Sequence, residues 1–185
     1  ACRAAVDMDR FRPHHVERLV ADLADGLRAF HAAALTHGDL NPANVVFVGD
    51  RADRPSCSPL ANDGFRAVLI DPSVSSDTAV PAGPWTEHGT PGYRRLPRDR
   101  SDTWGHDWRS DLYGATATIW FAVTGEAPPE GRRLAQAIDA APPHWATALG
   151  TGVGVGPAPV ADSSGQWADA MLEALDVDIR AVEAA

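Results

Sequence analysis

The sequence predicts a mainly helical α+β domain, a helical bundle carrying one small β hairpin. Three observations predict it. Apolar residues recur three and four apart over 13–34, two short apolar runs flank a polar stretch, and 110–124 is apolar nearly all round. At 185 residues the chain is one domain or a large part of one, with enough apolar content for a real core.

The elements follow in order. Val16, Leu19, Val20, Leu23, Leu27 and Phe30 line one helical face over 13–34, and Pro13 suits a first turn. Short strands are expected at 45–48 and 67–70, with an exposed hairpin loop over 49–66 rich in Asp, Arg, Pro, Ser and Gly. Residues 73–100 show no sustained period and read as a long ordered loop. Leu112, Tyr113, Ala115, Ala117, Ile119, Trp120, Phe121, Ala122 and Val123 predict a helix buried on most faces and ended by Gly125. A shorter helix over 132–141 is stopped by Pro142-Pro143, and 150–159 reads as a loop. Ser164 offers an N-cap for a last helix using Trp167, Met171, Leu172, Leu175 and Ile179.

Sixteen basic residues against 25 acidic ones leave a net charge of −9, which argues against a general nucleic-acid surface. ATP is still compatible, because its site needs only local positive charge and a metal. Cys2 and Cys57 form no metal-ligand spacing, and so few cysteines fit a reducing, cytoplasmic setting better than a disulfide framework. No segment approaches the roughly 20 apolar residues of a membrane span. Ala1-Cys2-Arg3 opens no secretory core, and the absence of Met at position 1 points to a longer parent.

The chemistry-bearing residues begin with His37-Gly38-Asp39-Leu40-Asn41-Pro42-Ala43-Asn44, directly before the first strand. In a tight loop, Asp39 can accept a proton from an incoming hydroxyl while the Asn44 oxygen helps hold a metal. Positioning and charge neutralisation of this kind are most of what phosphoryl transfer requires. A helix-to-strand turn whose polar groups satisfy the backbone is the alternative reading. Asp71 closes the second strand, where it would either join Asn44 as an oxygen ligand for Mg²⁺ or begin an Asp-Pro turn. Gly89-Thr90-Pro91-Gly92-Tyr93-Arg94 offers a hydroxyl, a ring and a cation, or is a surface turn. Asp107-Trp108-Arg109-Ser110-Asp111-Leu112-Tyr113-Gly114 opens the buried helix, and Asp111 would cap it or accept backbone N–H bonds from the Asp39 loop.

Together and in this order, these residues resemble the eukaryotic-like Ser/Thr protein kinases over about 13–131. That family has a His-x-Asp-Leu-x-x-x-Asn loop, a metal-binding Asp after a hairpin, a Gly-Thr-x-x-Tyr segment and a helix beginning Ser-Asp-x-Tyr. The resemblance implies a protein kinase-like C-terminal lobe over 1–185: a lead-in at 1–12, a motif-bearing core at 13–131 and C-terminal helices at 132–185. It implies transfer of the ATP γ-phosphate to a protein hydroxyl with Mg²⁺. Asp39 would be the base, Asn44 and Asp71 metal ligands, and Thr90 a partner of Asp39 at the acceptor site. His37 and Asp111 would support the site, and Asn41 would lie on the substrate or nucleotide side.

Departures narrow these expectations. Gly38 stands where many members have the Arg that meets a phosphorylated activation loop, although Ser75, Ser76, Thr78 and Thr86 remain candidate phosphosites. Asn41 replaces the Lys that touches the transferred phosphate. Asp71 is followed by Pro72-Ser73 instead of Phe-Gly, and Leu96-Pro97-Arg98 replaces the Ala-Pro-Glu anchor. The chain contains no lysine, no glycine-rich loop precedes Pro13, and the N-terminal lobe of the same polypeptide is expected to lie elsewhere. Isolated, the chain would bind ATP weakly and transfer little. Two alternatives stay open: a pseudokinase-like scaffold, and a small-molecule kinase of the aminoglycoside or choline type, whose loops often carry His-Gly-Asp-Leu.

Overall fold

A computed structural model describes residues 13–49, 65–72, 75–76, 89–94, 108–129, 138, 143–152 and 164–183. Helix α1 (Pro13–Ala32) buries Val16, Leu19, Val20, Leu23, Ala24 and Leu27, the stripe that the three-and-four spacing requires. It stops two residues short of the expected end because Ala34 takes a left-handed φ of 55°, and Ala33 N and Ala34 N donate to Phe30 O and His31 O.

Strand β2 (Val45–Gly49) pairs antiparallel with β3 (Phe65–Leu69), with Val46 opposite Val68 and Phe47 opposite Ala67. The second strand therefore begins two residues before the sequence suggests. Alternation sends Val45, Phe47, Phe65, Ala67 and Leu69 toward the core, and leaves Val46, Val48, Val68 and Ile70 exposed. A second antiparallel pair joins β1 (Leu35–Thr36) to β4 (Ser75–Ser76), where a continuous loop over 73–100 was expected. Strands of two residues carry no readable alternation.

Helix α2 (Trp108–Thr124) starts two residues early and is buried through Leu112, Ala115, Ala117, Ile119 and Trp120. Its buried Thr116 and Thr118 turn their hydroxyls back onto Leu112 O and Gly114 O at 2.9 and 2.8 Å, which satisfies them inside the core. Gly125, at φ 75°, ends it by donating to Phe121 O.

Helix α3 (Pro143–Gly152) was not expected over 143–149, and it continues through 150–152, where the sequence reading placed a loop. Proline at a first helical position lacks only an N–H that would have no intrahelical partner, so the same residue that ends one helix can begin another. Ala148 and Leu149 join the core beside Ile138, which is helical and buried. Helix α4 (Ser164–Glu183) packs on α3 and α1 through Trp167, Ala168, Met171, Ala174 and Leu175. Ser164, expected as its cap, is its first residue.

The result is mainly helical with a small antiparallel hairpin, a layout compatible with a kinase C-terminal lobe. No helix among the described residues is long and apolar enough to cross a membrane. The rest of the expected 132–141 helix, the loops over 50–64 and 153–159, Asp107, Thr78, Thr86 and Leu96-Pro97-Arg98 lie outside the described residues.

Candidate active site

The His37–Asn44 loop hangs from one buried carboxylate. Asp111, 1% exposed in the first turn of α2, accepts His37 N on Oδ2 and Gly38 N on Oδ1, both at 2.9 Å. His31, in the last turn of α1, places Nε2 3.0 Å from the same Oδ2. One side chain thus ties the end of α1, the start of α2 and the loop together. The loop also needs glycine: Gly38 sits at φ 79°, where an L side chain is strained.

His37 is fully buried, edge-on to Phe30, with Nε2 3.1 Å from Ile70 O. A carbonyl can only accept, so Nε2 carries the proton, and among the described residues the buried Nδ1 faces no hydrogen-bond partner. Ile70 N in turn donates to Asn44 O at 2.9 Å. Ile70, the residue before Asp71, is therefore held by the loop through both its N–H and its C=O. Asp71 itself is exposed and left-handed, at φ 52°, immediately before Pro72.

Asp39 and Thr90, 51 residues apart, meet directly. Thr90 N and Thr90 Oγ1 both donate to Asp39 Oδ1 at 2.9 Å. Asp39 Oδ2 receives only a long contact of 3.4 Å from Asn44 Nδ2 among the contacts of this cluster, while the same Nδ2 donates to Asp39 O at 2.8 Å. Because the amide nitrogen turns toward Asp39, Asn44 Oδ1, the other branch of the same planar amide, is turned away from it. Asn41, expected on the substrate or nucleotide side, is 5% exposed and spends its amide inside the loop. It caps the short 3₁₀ turn Pro42–Asn44 by accepting Ala43 N, and its Nδ2 donates to Asp39 O and Thr90 Oγ1 at 3.1 Å each.

The segment around Thr90 is seated by close packing. Tyr93 N donates to Thr90 O at 3.0 Å, and Gly92 at φ 86° lies where a Cβ would meet Pro128 O. A Cβ on Gly114 would stand 2.8 Å from Leu40 O and 3.3 Å from Tyr93 O, so α2 touches both the loop and the turn at a bare backbone. Burial pushes the Tyr93 phenol up to about 12.

Sequence reasoning missed His31, Asp22 and Gly114. A glycine three residues after Asp111 in an otherwise bulky helix is a readable signal of close approach, whereas His31 and Asp22 look like ordinary polar positions on α1. Among the described residues no group of three or more His, Cys, Asp or Glu side chains is arranged to hold a metal. Mg²⁺ needs fewer: it keeps several waters and takes one or two carboxylates plus phosphate oxygens. Asn44 and Asp71 carry oxygen donors of that kind, and the backbone bond from Ile70 N to Asn44 O links the two strand ends that bear them.

No family model matches the chain. It is similar to several bacterial proteins, among them the following three. The Ser/Thr protein kinase AfsK of Streptomyces griseus is 30% identical over 125 residues, which cover 66% of this chain and 14% of the kinase. PknL of Mycobacterium tuberculosis is 25% identical over 188 residues, 94% of this chain and 42% of that protein. PknB of Mycobacterium leprae is 28% identical over 116 residues, 63% of this chain and 17% of that kinase. The chain is related to the Ser/Thr protein kinase family, and it spans less than half the length of each of these relatives.

Proposed function

We propose that this chain is the C-terminal lobe portion of a Ser/Thr protein kinase-like phosphotransferase that moves the ATP γ-phosphate to a protein hydroxyl. The observation that carries the proposal is the convergence of Thr90 and Asn44 on Asp39. Two donors occupy Oδ1, and Oδ2 is left as the oxygen that can take the proton of an acceptor hydroxyl. Asn44 and Asp71 would hold Mg²⁺, which supplies charge neutralisation on the phosphate oxygens. Asp111, with His37 bound to it, keeps the loop in place, so little reorganisation accompanies proton transfer. The exposed face of Val46, Val48, Val68 and Ile70 lies on the two strands that leave Asn44 and enter Asp71, and would shelter the apolar base of the nucleotide. The resemblance to the three kinases supports the protein-acceptor class.

The test is transfer of phosphate from Mg²⁺–ATP to serine or threonine by the natural full-length protein. Asp39→Asn should remove it while ATP still binds. Undiminished transfer would sink the assignment of the base.

The inward-turned Asn41 favours a second reading, an interaction module without catalysis. The amide occupies the position of the phosphate-contacting cation, and it is committed to Asp39 O and Thr90 Oγ1. Thermal denaturation of the full-length protein separates the two: a scaffold gains no stability from Mg²⁺–ATP.

A further inference from the structure

We propose that Asp22, on α1, is a positioning residue that fixes the hairpin in register and thereby sets Asp71 against Asn44. This rests on the metal-binding role proposed above for that pair.

In the β2–β3 pair the Ile70 N–H···O Asn44 bond makes 44 and 70 a hydrogen-bonded pair, so 46/68 and 48/66 are as well. Ala67, opposite Phe47, therefore points its N–H away from β2, toward the open edge of β3. A buried carboxylate meets it there: Asp22 Oδ2 accepts Ala67 N at 2.7 Å, the shortest bond reaching the hairpin among those given above. Arg18 Nε stands 3.2 Å from Asp22 Oδ1, so the carboxylate that accepts Ala67 N also faces a guanidinium.

One turn further along the same helical face, Gly26 receives Leu69, whose Cδ1 would lie 2.9 Å from a Cβ there. Four helical residues advance about 6 Å and two strand residues about 6.7 Å, so 22/67 and 26/69 are matched spacings. A two-stranded ribbon has little stability of its own. A slip by one residue would move Asp71 by about 3.3 Å and reverse its face. Burial of Phe65, Ala67 and Leu69 and the His37 Nε2–H···O Ile70 bond also oppose a slip, and the Asp22 bond adds a directional contact at the outer edge of β3. The Asp22 bond has a direction and a single target. No role in transfer to or contact with phosphate is implied for Asp22.

The experiment uses the full-length protein, with Asp22→Ala, Asp22→Asn and Asp22→Ser. Asn keeps an acceptor for Ala67 N, and Ser, one bond shorter, stops short of it while staying polar, which covers failure of the Ala variant to fold. Amide exchange without metal reads the lock, and Mn²⁺ broadening of the Asn44 and Asp71 amides reads metal binding. The expected result is exchange at Ile70 at least 10-fold faster in Ala or Ser, with the Leu175 amide unchanged and the Mn²⁺ dissociation constant raised at least 10-fold. Asp22→Asn should stay within about 3-fold of the unaltered protein. Unchanged Ile70 protection, or faster exchange with unchanged Mn²⁺ affinity, overturns the positioning role. Absence of Mn²⁺ broadening in the unaltered protein overturns instead the metal assignment on which it rests.

Discussion

The two carboxylates of the site live in opposite settings. Asp39 belongs to a loop whose neighbours His37, Leu40 and Asn41 are buried and which is bonded to Asp111 and Thr90. Asp71 stands exposed at the end of a ribbon whose outer face, up to Val48 at 50%, is open. The half proposed to take a proton is finished by this chain's own helices, while among the described residues the half proposed to hold a metal is tied in through the backbone of Ile70 and the edge of β3. On the proposed reading, preorganisation is concentrated where a proton would be taken, and exposure where a nucleotide and its cation would arrive.

This contrast breaks first at Asp111. Asp111→Ala leaves the buried His37 N–H, the part-buried Gly38 N–H and His31 without this partner, and should cost about 3–5 kcal/mol in chemical denaturation. A loss under 1 kcal/mol would mean the loop holds its own shape. Gly114→Val tests the same half by packing, since even a Cβ stands 2.8 Å from Leu40 O. A loss of about 1–3 kcal/mol is expected. At the exposed half the sign should reverse. Asp71→Gly removes a side chain from a left-handed residue and should raise stability by about 1 kcal/mol while abolishing phosphate transfer. Val48→Thr, on the open face, should stay within about 0.5 kcal/mol.

A further effect concerns pH. Burial favours the neutral phenol of Tyr93, whose pKa in the fold rises from 10.0 to about 12. Its contribution to stability is fully present below pH 10 and is lost as pH climbs toward 12. Unfolding curves should therefore decline across that window, and Tyr93→Phe should remove this part of the decline.

Much of this was legible because the chemistry is local. The α1 stripe, the two main strands, the buried α2 and the order of His37, Asp39, Asn44, Asp71, Thr90 and Asp111 are periodicity and motif. The structure also brings Thr90 to Asp39 and Asp111 to the loop, contacts across 51 and 74 residues. What sequence missed is set by tertiary neighbours. Pro143 reads as a breaker until a helix is seen to start on it. The bonds of the Asn41 amide to Asp39 O and Thr90 Oγ1 were equally unreadable, because residue type cannot tell where a loop turns an amide. Asp22 and His31 look like solvated helix positions until Ala67 N and Asp111 are found beside them.

The most direct measurement of the central claim is single-turnover transfer of the ATP γ-phosphate by the full-length protein, comparing Asp39→Asn with Asp71→Gly. Both variants should lose about 10²–10⁴-fold in the rate of transfer, with Asp39→Asn retaining Mg²⁺-dependent ATP binding and Asp71→Gly losing it. Equal metal dependence in the two variants, or transfer at the unaltered rate in either, would contradict the division of labour between the two carboxylates.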